Sequence, residues 1–314
     1  MTINGSAILR YSLRWRLLDA VNALVDRCTT RRTETASPLL MLLPAILLIG
    51  LLLVGLLLIL DQSLHLLDPD TLLPKAGYTL ANFATVATRS HYRELVGRTA
   101  TAAVTVASLS VCLAFPYAYV MVRAHSVIAR KLLLCCVFLP FLLGGVVRGY
   151  AWLVVLGHDG LINNLLKALG MPAMPLIYNM FGVLIGLTQV YLPVAVMMIA
   201  PAMTGVHREV EDAARSLGAH WTRVLVTVFI PMVASALIRA FVVVLTLVFS
   251  DMTIPAILGG GRADFITNAI FESYLETGDR GLGGALCIVT TGFVVGCIVL
   301  LAFTQRALLR GIKR

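Results

Sequence analysis

Six stretches of this sequence are each about 20 residues long and almost free of charge, which leaves few folds open to the chain. A helix rising about 1.5 Å per residue needs about 20 apolar residues to cross roughly 30 Å of hydrocarbon. The six run near Leu39 to Leu60, Thr99 to Val122, Leu132 to Leu156, Phe181 to Met203, Met232 to Leu258 and Gly283 to Phe303. Backbone groups in lipid must be satisfied internally, so runs of this length predict spanning helices and an all-α integral membrane protein. Pro116, Pro140, Pro193, Pro255 and the Gly144-Gly145 pair interrupt or bound the runs. Composition agrees: 59% of the 314 residues are hydrophobic and 13% are charged, against about 25% charged residues in soluble domains.

Lys and Arg set the orientation. Segments 1–38, 123–131, 204–230 and 304–314 hold sixteen of them, whereas the alternate segments 61–98, 157–180 and 259–282 hold seven. The first set is therefore expected in the cytoplasm, with both termini. The domain reading follows: a cytoplasmic N-terminal segment 1–38, a six-span domain 39–303 with a cytoplasmic loop at 204–230, and a basic tail 304–314. ILRYSLRWRLLDAVNALV, within 1–38, alternates basic and apolar residues as an interfacial helix would, or forms a tail drawn to anionic lipid. In the long outer segment 61–98, SHYRELVGR is a candidate short helix, with a flexible loop as the alternative.

The net charge of +9 is scattered at span ends rather than gathered on one face, which points away from nucleic acid. No G-x-x-x-x-G-K-[ST], H-E-x-x-H or G-x-S-x-G motif occurs, and the six histidines lack metal-ligand spacing. Neither catalytic nor metal-binding residues are expected. Transport driven by an ion gradient would call for several buried ionisable groups, and Asp251 alone is clearly a candidate by these boundaries. A partner is expected to supply the energy.

The loop EDAARSLGAHWTRVLVTVFIP, Glu211 to Pro231, carries charge but is built from helix formers. Read as a helix, VHREVEDAARSL places Val206, Val210, Ala213, Ala214 and Leu217 on one stripe, with Arg208, Glu211, Asp212 and Arg215 opposite. Arg208 with Asp212 and Glu211 with Arg215 stand at i,i+4 spacing. Gly218 is placed to end the helix in the left-handed conformation, and a second helix then runs to Pro231 in the first turn of the next span. The two helices make a wedge able to transmit a push, or an amphipathic re-entry loop lying on the membrane.

Asp212, Ala213, Ala214, Gly218, Val228, Ile230 and Pro231 match in spacing the last cytoplasmic loop of permease subunits of ATP-binding-cassette importers, with aspartate where glutamate is usual. Glu211 stands immediately before it. VVRGYAWLVVLGHDGLINNLLKALG and SDMTIPAILGGGRADFITNAI further resemble the spermidine/putrescine branch. The likeness covers about the five C-terminal spans.

This resemblance implies a type I importer permease fold in a bacterial inner membrane, with a cytoplasmic coupling helix between spans four and five that carries Glu211, Asp212, Ala213, Ala214, Gly218 and Pro231. It implies a second permease subunit, in this branch a different chain, two ATPase subunits that bind ATP and Mg, and a periplasmic solute-binding protein. No cofactor is then expected in this chain. Polyamine is the first substrate expectation, and amino-phosphonates or opines are taken by related branches. A gradient-driven carrier or a non-transporting scaffold are the readings from other classes. Asp251, Tyr191, Arg148, Tyr150 and Trp152 are candidates for the solute path. Arg148, Tyr150 and Trp152 could equally form an interfacial belt, Tyr191 could be packing, and Asp251 could make a structural hydrogen bond or a salt bridge to the second permease. Asn163 and Asn164 are expected to cap or brace a short outer helix, and Gly259 to Gly261 to let the chain turn after span five.

Overall fold

The computed structural model describes residues 37–68, 74–75 and 77–312, so the expectation of an interfacial helix within 1–38 falls almost wholly outside the described residues. The chain divides into two units, residues 1–59 and 60–314. From its described residues, the first unit contributes most of α1, Ser37–Ser63, on which most of the leucines from Leu42 to Leu60 are exposed. Such a surface at this length calls for lipid or the apolar helix of another membrane chain.

The second unit is helical. α2 covers Ala81–Thr88 and α3 covers Ser90–Arg123. SHYRELVGR is therefore not a separate surface helix; it forms the first turns of a 34-residue rod that continues into the second span. α4 (Val127–Leu142) and α5 (Gly145–Leu156) follow, then α6 (Leu161–Ala168), α7 (Met180–Thr204) and α8 (Arg208–Ser216). α9 (Trp221–Val224) leads through one π turn, Leu225–Phe229, into α10 (Ile230–Phe249). α11 (Thr253–Gly259), α12 (Ile266–Phe271) and α13 (Arg280–Ile312) complete the chain. Among the described residues five helices are long and apolar enough to cross a membrane, and six if the bent pair around Leu143 counts as one span.

Two spans differ from the sequence expectation. The third is broken, with the segments Val127–Leu142 and Gly145–Ala168 meeting at 104°. Pro140 and Gly144-Gly145 stand at the break, where Leu143 is extended and its N–H reaches only the Pro140 carbonyl. The fifth span stops at Phe249 instead of Leu258, because Asp251 caps a new helix through a 3.0 Å bond from the Ile254 N–H. Pro255 sits in the first turn of that helix, where its missing N–H removes no bond. Toward the other end, no second wedge helix stands apart from the fifth span. Trp221 to Phe249 is one rod, and the π turn lets the Ile230 N–H reach the Leu225 carbonyl just ahead of Pro231.

The core lies where α3, α7 and α10 pack together. α3 presents Ala103, Ala107, Ser110, Ala114 and Ala118 at intervals of three or four, all fully buried. Small residues let helix backbones approach closely, which supplies packing where lipid removes the hydrophobic drive between helices. α11 lies against α7 at Gly186, where an added Cβ would stand 2.5 Å from Leu258 Cδ1 and 3.1 Å from Ile254 Cγ2. Both neighbours are fully buried. Gly186→Val is expected to cost about 1–3 kcal/mol of overpacking, read as a lower thermal midpoint in detergent.

Candidate coupling helix and solute cavity

α8 begins after Val206 and ends in a paired cap: the Gly218 N–H bonds the Arg215 carbonyl at 2.9 Å and the Ala219 N–H bonds the Ala214 carbonyl at 3.3 Å. Gly218 has φ +79°, the left-handed conformation expected of a helix-ending glycine. A Cβ added there would meet nothing within 4 Å.

The helix is rotated from the face assignment read in the sequence. Glu211, expected on the polar face beside Arg215, is turned inward with its side chain 8% exposed. The apolar stripe is split: Val206 is buried and Val210 and Ala214 are half-buried, while Ala213 and Leu217 are exposed, Leu217 to 89%. Arg123, the last residue of α3, is the cause. Its Nε donates to Glu211 Oε1 at 2.8 Å, its Nη2 also pairs with Oε1, and Nη2 donates to the Val206 carbonyl at 2.8 Å. The Tyr119 hydroxyl donates to Glu211 Oε2 at 2.9 Å. Arg123 stacks 5.5 Å from the ring centroid of Phe229, which meets Tyr119 edge-on at 5.2 Å and is itself buried. Arg208 does not pair with Asp212; its Nη2 donates to the Arg123 carbonyl at the end of α3.

One face of α8 is thus tied to the bundle, and the opposite face presents Asp212, Ala213, Leu217 and Gly218 outward. Pro231 lies away from that face, inside the first turn of α10. Arg123, Tyr119 and Phe229 were missed in the sequence. Arg123 stands 88 residues from Glu211, and no local spacing joins them.

A second feature is a cavity of about 300 Å³ lined by Phe141, Arg148, Tyr191, Ser250, Asp251 and Thr253, among others. Both breaks border it, with Phe141 and Gly145 at the break before α5 and Ser250 to Ile254 at the break before α11. Asp251, expected inside a span, sits in the second of these breaks and is not unpartnered. Its Oδ2 accepts from the Tyr191 hydroxyl at 2.8 Å, while Oδ1 accepts from Ile254. The Leu247 carbonyl, 3.2 Å from the same hydroxyl, is a second acceptor within reach of its one proton. Arg148 extends its Nη1 to the Val190 carbonyl at 3.5 Å and lies 6.0 Å from the Phe141 ring centroid, while its buried Nε has no partner among the described residues.

Arg148, Tyr191 and Asp251 therefore come together, while Tyr150 and Trp152 stay out of the cavity lining. Trp152 donates from Nε1 to Gln189 Oε1 at 3.1 Å, and Tyr150 is exposed. Within α6, Asn163 braces its segment as expected. Its Nδ2 donates to the Gly157 and Met174 carbonyls and its Oδ1 accepts from the Met174 N–H.

Comparison with known proteins places this architecture. The chain is 28% identical over 179 residues to the spermidine/putrescine transport system permease protein PotB of Haemophilus influenzae, a match covering 56% of this chain and 62% of that protein. Against PotB of Salmonella typhimurium strain SL1344 the identity is 26% over 242 residues, covering 76% and 83%. A probable molybdenum ABC transporter permease of Haloferax volcanii is 32% identical over 223 residues, covering 66% and 75%. In fold, the chain is similar to a chain of a bacterial alginate ABC transporter solved with an alginate-loaded periplasmic protein, at TM-score 0.69 and 16% identity, over 88% of this chain and 96% of that one. The family model for the binding-protein-dependent transport system inner membrane component matches residues 114–314. With six apolar segments and the type I importer permease fold, the chain belongs to that family of inner membrane components of binding-protein-dependent transport systems.

Proposed function

We propose that this chain couples ATP turnover in a partner ATPase to solute movement through α8, and that the solute is a small cationic polyamine. As a family member the chain is a multi-pass inner-membrane transport subunit with no catalytic role, and ATP binding belongs to the partner ATPase. The coupling reading rests above all on the exposure of Leu217, 89% open to solvent at the end of a helix whose other face is pinned to the bundle. A large apolar side chain held out beside Asp212 and Gly218 is what a docked partner groove would cover. The loop then faces the cytoplasm together with both termini. Residues 39–303 form the transport domain, and a second, different permease chain completes the path.

For the solute, the names of the PotB relatives and the carboxylate of Asp251 at the cavity favour a polyamine. A second reading, an amino-phosphonate or opine, draws on Arg148, whose guanidinium lines the same cavity with its Nε unpartnered among the described residues. Purification of the complex in mild detergent tests both levels. An ATPase and a solute-binding protein are expected to accompany the chain, and the binding protein is expected to take up spermidine or putrescine. Recovery of the chain without an ATPase would sink the coupling reading, and a binding protein indifferent to polyamines would sink the substrate.

A further inference from the structure

We propose that Glu211 is a positioning residue whose clasp with Arg123 and Tyr119 makes α8 rigid with the second and fifth spans, so that a push received outside becomes a movement of the bundle. The proposal rests on the coupling reading of α8 and assigns a task to a face of that helix that no partner can reach.

α8 has nine residues and is joined to α7 by a short connection and to α9 through Gly218. Its inward face is closed to a partner, because Glu211 and the Arg123 guanidinium fill it, at 8% and 15% side-chain exposure. A helix held by its two ends alone can roll about its own axis when pushed, and force is then lost in the roll. The clasp prevents this. Arg123 grips the Glu211 carboxylate from the end of α3, and the same guanidinium bonds the Val206 carbonyl just ahead of α8. Tyr119, one turn back on α3, takes the second carboxylate oxygen. Phe229 closes the cluster from the π turn at the base of the fifth span, lying under the guanidinium and edge-on to Tyr119.

Two helices far apart in sequence therefore meet at one carboxylate, and the π turn backs the side chains that hold it. Two guanidinium nitrogens on one carboxylate oxygen and a hydroxyl on the other fix the direction of the carboxylate as well as its distance, with the charge-assisted strength that a neutral side chain lacks. Asp212, next in sequence, points outward and is free to serve the docked partner.

The test uses the whole complex, with its ATPase and binding protein, in vesicles. Two readouts are separated. Leu217→Cys reports docking through crosslinking to the ATPase. Ser250→Cys at the cavity, in a chain whose other cysteines are replaced, reports bundle movement through labelling by an impermeant maleimide from the outer side. In the otherwise native chain, trapping with ATP and vanadate is expected to raise that labelling. Glu211→Gln is expected to reduce the rise about tenfold, within the usual range of coupling between sites, while the Leu217→Cys crosslink persists. Tyr119→Phe, which spares the ion pair, is expected to fall between the two, and the exchange Arg123→Glu with Glu211→Arg is expected to recover part of the rise.

A full labelling rise in Glu211→Gln overturns the proposal. Loss of the crosslink together with the rise also overturns it, since Glu211 would then only hold the loop in shape. Absence of the crosslink in the otherwise native chain overturns the coupling reading itself, a result that does not resemble either of the others.

Discussion

Gly218→Asp is expected to reduce uptake to background while the chain still inserts and still assembles with its partners. Gly218 ends α8 at φ +79°, and its Cβ position looks into open space within this chain. A side chain there meets no neighbour, so the folded chain is disturbed only by the left-handed backbone, a cost of roughly 1–2 kcal/mol for an L-residue and less for aspartate. Such a cost does not unfold a six-span bundle. The effect must come from outside, because the substituted side chain would project into the surface that Leu217 and Asp212 present. Gly218→Ala separates the two contributions: it carries the backbone strain with a single added methyl and is expected to keep most of the uptake. Equal loss in both variants would assign the effect to the helix end instead of the docking surface. Normal uptake by Gly218→Asp would remove α8 from the coupling path.

Much of this architecture can be read in the sequence, because hydrocarbon imposes lengths that a single chain must meet by itself. Six apolar runs announce five spanning helices and one bent pair, and Gly218 announces the end of α8, since both depend on residues close in sequence. The limits appear where distant residues decide. Glu211 and Arg215 stand at ideal helical spacing, yet Glu211 turns away because Arg123, 88 residues back, offers a largely buried charged partner through two of its nitrogens. That choice rotates the helix and exposes Leu217. The end of the fifth span was obscured for another reason: Met232 to Leu258 is apolar almost throughout, and the single polar pair Ser250-Asp251 reads as an intrusion in a span. In the fold it is a break, with Asp251 capping α11. The cavity beside it needs two such breaks on different helices, and only their packing brings Arg148, Tyr191 and Asp251 to one place.

Asp251→Asn is expected to lower spermidine uptake at least about tenfold, with most of the change in KM. The substitution is chosen to leave the fold alone. Asparagine retains an oxygen for the Ile254 N–H, and the Tyr191 hydroxyl keeps the Leu247 carbonyl as an acceptor. Asp251→Ala would also remove the cap, at about 0.5–2 kcal/mol, and would blur charge with stability. What Asn removes is the one carboxylate that shares the cavity lining with Arg148. A cation near Arg148 then faces uncompensated repulsion, about 4 kcal/mol for unit charges roughly 4 Å apart at an effective dielectric of about 20. A third of that suffices for the tenfold loss. Arg148→Gln gives the reciprocal measurement: uptake of a cationic solute is expected to hold or rise, whereas a solute carrying a phosphonate or carboxylate would be lost along with its only cationic partner in the cavity lining. Unchanged spermidine uptake in Asp251→Asn would leave the carboxylate as a helix cap and nothing more. Loss of uptake in Arg148→Gln, with Asp251→Asn unaffected, would transfer the assignment from a polyamine to an anionic or zwitterionic solute.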